Sequence, residues 1–139
     1  MLRFFEFADS EISRIDMADG SLHIHFAAAM LRTNAAAASA TLSGCSNEQQ
    51  GYSNGVSLWL GQASFQGDIQ HCTGRLSDGK LLHAQQRLAS LPLPSQWQSG
   101  AELLKLDLQC ANGAWLQVQA HSLRCEEAAG ARFVEVFKC

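Results

Sequence analysis

Leu104-Lys-Leu-Asp-Leu-Gln-Cys110-Ala-Asn-Gly113-Ala-Trp115-Leu-Gln-Val-Gln-Ala120 is the stretch that decides the fold class of this chain. Side chains alternate between the two faces of a strand, so a one-residue slip in pairing sends core residues to solvent. A two-residue loop here would set Leu108 against Gln117. A three-residue loop, Ala111-Asn112-Gly113, sets Leu108 against Leu116, Leu106 against Val118 and Leu104 against Ala120. Gly113 then takes the left-handed position that follows a type I turn, which glycine tolerates best. Lys105, Asp107, Gln109, Gln117 and Gln119 fall together on the opposite face. Such alternation belongs to an antiparallel sheet with one face in the core and one in water.

Ile12 to Met30 obeys the same rule around Asp19-Gly20. A two-residue loop pairs Ala18 with Ser21, Met17 with Leu22 and Ile15 with Ile24, and Asp-Gly suits a turn whose two central residues both need positive φ. Asp78-Gly79 supports two readings. One is a third tight turn pairing Leu76 with Leu81; the other is a short helix capped by Asp78, carrying Leu81, Leu88 and Leu91 and stopped by Pro92. The surrounding β signals favour the hairpin.

Further strands follow from the same alternation. Val56 to Leu60 alternates well. Arg132 to Cys139 is apolar on both faces and reads as a last strand folded back on the one before it across Glu126 to Ala131. The phase breaks after Ala120, and a β-bulge near His121-Ser122 would return Leu123 and Cys125 to the core. Arg32 to Gly55 holds few large apolar residues. A helix over Ala35 to Ala40 and a weak strand through Ala38, Ala40 and Leu42 fit equally, followed by a polar loop from Cys45 to Gly55, the place to expect mobility.

The 139 residues are 47% apolar and 17% charged, enough for one hydrophobic core and too apolar for disorder. The expectation is one all-β, mostly antiparallel domain over residues 1–139. It is a β-sandwich or small β-barrel of about seven to nine hairpin-built strands, with room for one short helix.

Composition also excludes partners. The formal net charge is −3 and no basic run exists, so the phosphate-neutralising footprint of a nucleic-acid binder is missing. No stretch is apolar enough for a membrane helix, and the N-terminus has no signal-peptide core. The five cysteines form no Cys-x-x-Cys pair, so reduced thiols in the cytoplasm are expected.

Among chemistry-bearing patterns, His23-x-His25 stands out. Residues i and i+2 of a strand share a face, so both imidazoles can reach one divalent metal ion. A third ligand would be His121, His71, Asp16 or a cysteine. The competing reading leaves both histidines in solvent while Leu22, Ile24 and Phe26 fill the core. Trp59 and Trp115 fall on the polar parity of their strands. They form an interaction surface if that face is bare, and core if a second sheet covers it, which the burial habit of tryptophan favours. No phosphate loop, nucleophile elbow or metalloprotease helix is present, and His71 and Cys72, as neighbours on a strand, point apart.

The expected function is therefore a non-enzymatic binding or protein-interaction module, with a protein partner or a homo-oligomer. The alternatives are a metal-binding barrel or metal-dependent enzyme built on His23 and His25, and a structural subunit of an assembly.

Overall fold

A computed structural model describes residues 2–34 and 48–136. Thirteen strands run through them: β1 (Leu2–Ala18), β2 (Ser21–Asn34), β3 (Glu48–Ser53), β4 (Val56–Gly61) and β5 (Ser64–Gly67) come first. Then follow β6 (Gly74–His83), β7 (Gln86–Leu88), β8 (Ser90–Pro92), β9 (Ser95–Gln98), β10 (Leu104–Cys110), β11 (Trp115–Ala120), β12 (Ser122–Glu127) and β13 (Phe133–Val136). All pairings are antiparallel, and the described residues hold no helix, hence none long and apolar enough to cross a membrane.

The main path of pairing is β5-β11-β10-β6-β1-β2-β4-β12-β9, with β3, β7, β8 and β13 attached beside it. It is open, and the strand count exceeds the seven to nine expected. Long ribbons that change partners along their length account for the excess. In β1, Phe4 to Glu6 pair with β8, whereas Glu11 and Ile12 pair with β6. Between them the ladder with β2 is interrupted, and Asp9 takes a left-handed φ of 70°. Buried Ser10 repairs the break: its hydroxyl donates to the Glu6 carbonyl at 2.6 Å and accepts the Met30 N–H at 2.8 Å. A buried backbone group left unpaired would cost about 1–3 kcal/mol, which this side chain avoids.

Both decisive hairpins have the expected register. Ala18 faces Ser21 across Asp19-Gly20, with φ of 53° and 77° at the two turn residues. Leu108 faces Leu116 and Leu106 faces Val118. The Gly113 N–H closes the turn onto the Cys110 carbonyl at 3.0 Å, with φ 93° at Gly113.

Other expectations need correcting. Asp78-Gly79 makes neither turn nor helix, because β6 runs straight through it. The reversal comes later, at Ala84 and Gln85, whose φ values of 49° and 68° form the tight turn into β7. The last strand pairs with β3, not with the strand before it. Residues 48–53, read as polar loop, form β3, which bonds β2 on one side and β13 on the other. The helix or weak strand expected between Ala35 and Leu42 lies outside the described residues, as do Cys45 and Cys139.

Leu123 and Cys125 are buried as expected, but by a corner and not a bulge. Strand β11 ends at Ala120, His121 turns the chain, and β12 begins in another region of the sheet. The partner strand turns at the same place. Gln119 pairs with Ser64 before the corner and Ser122 with Gly61 after it, and the His121 N–H bonds the Gly61 carbonyl at 3.0 Å. Thus β4–β5 and β12–β11 form one bent two-stranded ribbon.

The alternate residues of these strands meet in one buried cluster that includes Phe5, Phe7, Leu22, Ile24, Leu58, Leu76, Leu106 and Leu123. Each such side chain contributes about 1.5–3 kcal/mol on burial, against roughly 0–1 for an exposed ion pair, so this cluster holds the fold. Cys72 and Cys110 lie in it with their sulfurs 3.0 Å apart. Burial pushes the Cys72 thiol well up, and the Cys125 thiol to about 12, so neither is a nucleophile at neutral pH.

One polar contact ties distant segments together. The Glu127 carboxylate accepts from Arg3 at 2.5 Å and from the Ser53 hydroxyl at 2.6 Å, joining β12 to β1 and β3. Desolvation pushes its pKa up, but the hydrogen bonds from Arg3 and Ser53 and the Arg3 charge outweigh this and lower it below its ordinary 4.5. Its stabilisation is therefore full above pH 4.5 and lost as pH falls through the lowered folded value. Glu127→Gln is expected to cost about 1 kcal/mol at neutral pH, allowing for partial solvent screening. Urea melts of both proteins should converge as acid protonates Glu127; a constant gap would show that its charge is irrelevant.

Candidate functional site

Strand register builds the site. The tight turn at Asp19-Gly20 sets Asp16 of β1 opposite His23 of β2. Next along the same rank stand Trp59 of β4, Arg124 of β12 and Gln96 of β9. The neighbouring rank runs Arg14, His25, Ser57 and Glu126. All occupy the parity opposite to core residues Leu22, Ile24, Leu58, Leu60, Leu123 and Cys125, so they share the outer face.

On that face the planar groups pile together. The His23 ring lies 3.4 Å from the Trp59 ring at 18°, and 3.6 Å from the His25 ring on centroid distance. The Arg124 guanidinium sits 5.5 Å from the Trp59 centroid and bonds Glu126 at 2.7 Å. His25 Nε2 is 2.9 Å from Asp16 Oδ2, which also accepts from Arg14 Nε at 3.1 Å.

His23 is the unusual member. Its Nε2 is buried and has no hydrogen-bond partner among the described residues. Its pKa is lowered from 6.5, first by desolvation, then by the like charge of His25, with Arg14 and Arg124 adding to the effect and Asp16 opposing it. The neutral imidazole so favoured is the form that ligates metals.

Of the four kinds of third ligand open from sequence, the fold brings Asp16. One donor atom from each of Asp16, His23 and His25 lies within 4.8 Å of the others, and no other such trio occurs among the described residues. Ligand atoms at about 2.0–2.2 Å from a tetrahedral ion sit some 3.3–3.6 Å apart, within rotamer adjustment of this arrangement. An N,N,O donor set of this kind suits zinc, nickel, cobalt or copper. His71 is engaged elsewhere, 2.5 Å from Asp68.

The two tryptophans are not brought together. Trp59 is 37% exposed on this face, and Trp115 is 49% exposed on β11, opposite Gln109 of β10. No sheet of described residues covers either, contrary to the burial habit that favoured core positions for both. The stack of Trp59 on His23 was not legible from sequence, because nothing local pairs β4 with β2. The Asp16–His23 pairing was legible, since the turn length fixes it.

No protein-family model matches this chain, and no curated protein or solved structure matches it either.

Proposed function

We propose that this protein is a binding module that holds a divalent transition-metal ion on Asp16, His23 and His25, with Trp59 as the wall of the site. One observation carries this reading: three register-locked donors converge, and the His23 imidazole keeps a buried nitrogen without a hydrogen-bond partner among the described residues. Burying such a nitrogen unpaired is costly, and an ion would complete it. Metal would replace the bond between His25 and Asp16, drawing the carboxylate and both imidazoles onto one centre.

Nickel or copper near a stacked indole quenches its fluorescence, so Trp59 supplies the readout. Titration of tag-free protein with nickel chloride is expected to saturate at one ion per chain with loss of Trp59 emission. His23→Ala/His25→Ala should weaken binding about a hundredfold or more, as removal of two of three ligands implies. Trp59→Phe should bind equally while losing the quench. Metal uptake unchanged in the double variant, or none in the wild type, would reject the site.

A further inference from the structure

A cleft lies on the outer face of β6, β10, β11 and β5, away from His23 and His25. Its volume is about 330 Å³, at the small end of ligand sites. One rank across its floor is Lys80, Asp107, Gln117 and Gln66; the next is Asp78, Gln109 and Trp115. From these two ranks we infer that the cleft is a saccharide-binding site, with Trp115 as its stacking platform.

Three features support the assignment. First, the Trp115 indole is held in place yet open. Gly67 pairs beside it on β5, and a Cβ there would collide with the Trp115 carbonyl oxygen and crowd its ring, so the bare glycine seats the residue. The Asp68 N–H fixes the same carbonyl at 3.1 Å. Despite this seating the residue is 49% exposed. A pre-positioned aromatic loses little conformational entropy on binding.

Second, the polar side chains around it are uncommitted. Gln66, Gln109, Gln117, Asp107 and Lys80 make no side-chain hydrogen bond or ion pair with any described residue. Lys80 and Asp107 stand directly opposite each other, yet form no ion pair. Amides, a carboxylate and an ammonium offer both donors and acceptors, the complement of vicinal hydroxyl groups.

Third, charge narrows the ligand. The cleft carries Asp78 and Asp107 against Lys80, in a chain of net charge −3. That balance repels a phosphate backbone, although a nucleobase would stack equally well on indole. A pyranose ring presents a flat C–H face to the tryptophan and a rim of hydroxyls to the amides, without a phosphate.

The test titrates metal-free, chelator-treated protein with hexasaccharides of glucose, mannose, xylose and N-acetylglucosamine, followed by calorimetry and tryptophan emission. At least one is expected to bind in the micromolar to low millimolar range, as suits a shallow polar cleft. Trp115→Ala should weaken it about tenfold or more. Asp107→Ala, which leaves the indole in place, should weaken it by a similar factor, whereas Trp59→Ala should not. No binding by any of the four sugars, or binding that survives both cleft variants, overturns the assignment. So does tighter, Trp115-dependent binding of a single-stranded oligonucleotide or a basic peptide. Because metal is absent throughout, failure here leaves the histidine site untouched, and the reverse holds.

Discussion

Gly79→Val is expected to destabilise the protein by about 3 kcal/mol or more, while Gly20→Ala costs only about 1 kcal/mol. Both glycines follow an aspartate, and in sequence the two dipeptides look alike. At Gly20 the backbone is left-handed, with φ 77°, but a Cβ would meet nothing within 4 Å. The penalty there is the conformational one alone. At Gly79 a Cβ would sit 2.5 Å from Phe7 Cβ and 2.9 Å from its Cγ, with Leu108 Cδ2 at 3.2 Å. Phe7 and Leu108 are core residues with no room to retreat, so β6 must leave β1 or the ring must leave its rotamer. Urea unfolding of the two variants would decide the matter: equal losses would mean that β6 does turn at Asp78-Gly79 after all.

The second large effect is on stability with metal bound. Zinc at a hundred times its dissociation constant is expected to add about 2.7 kcal/mol to the unfolding free energy, because only the folded chain assembles the three donors. The increment should disappear on chelation and in Asp16→Ala/His23→Ala. It should also disappear in acid, since protonated imidazoles do not ligate. His23 sets a further trend in the metal-free protein. Its folded pKa is lowered from 6.5, so just below that pH the unfolded chain binds more protons and stability falls as pH falls. His23→Gln should flatten that slope in thermal melts without zinc. A zinc increment that persists in the double variant would place the ion elsewhere.

What was legible in the sequence was what alternation and turn length control. The registers at Asp19-Gly20 and Asn112-Gly113 follow from the loop length that keeps leucines opposite apolar residues, and the structure has both. Cys110, in phase with Leu104, Leu106 and Leu108, lies in the core with them. Non-local pairing was not legible. Glu48 to Ser53 has no alternating large apolar residues, because its partners β2 and β13 supply the ladder and the pattern. The turn at Ala84 and Gln85 uses two residues with no special preference for positive φ, so its signal was absent, while Asp78-Gly79 gave a false one. The same division runs through the candidate site. Asp16 opposite His23 follows from one hairpin, but Trp59 and Arg124 arrive on strands far along the chain.

The ribbon that bends at Gly61 and His121 has a mechanical meaning beyond its geometry. Both of its strands continue from one region of the sheet into the other, with hydrogen bonds on either side of the bend. A fold assembled from separate sheets has a seam along which one can peel away and leave the other standing. Here the seam is crossed by a paired ribbon, so peeling would have to break a ladder of hydrogen bonds and not merely pull apolar surfaces apart. Trp59 and Trp115 ride on the two arms of that ribbon, on either side of the bend. Loss of structure around one is therefore expected to disturb the other.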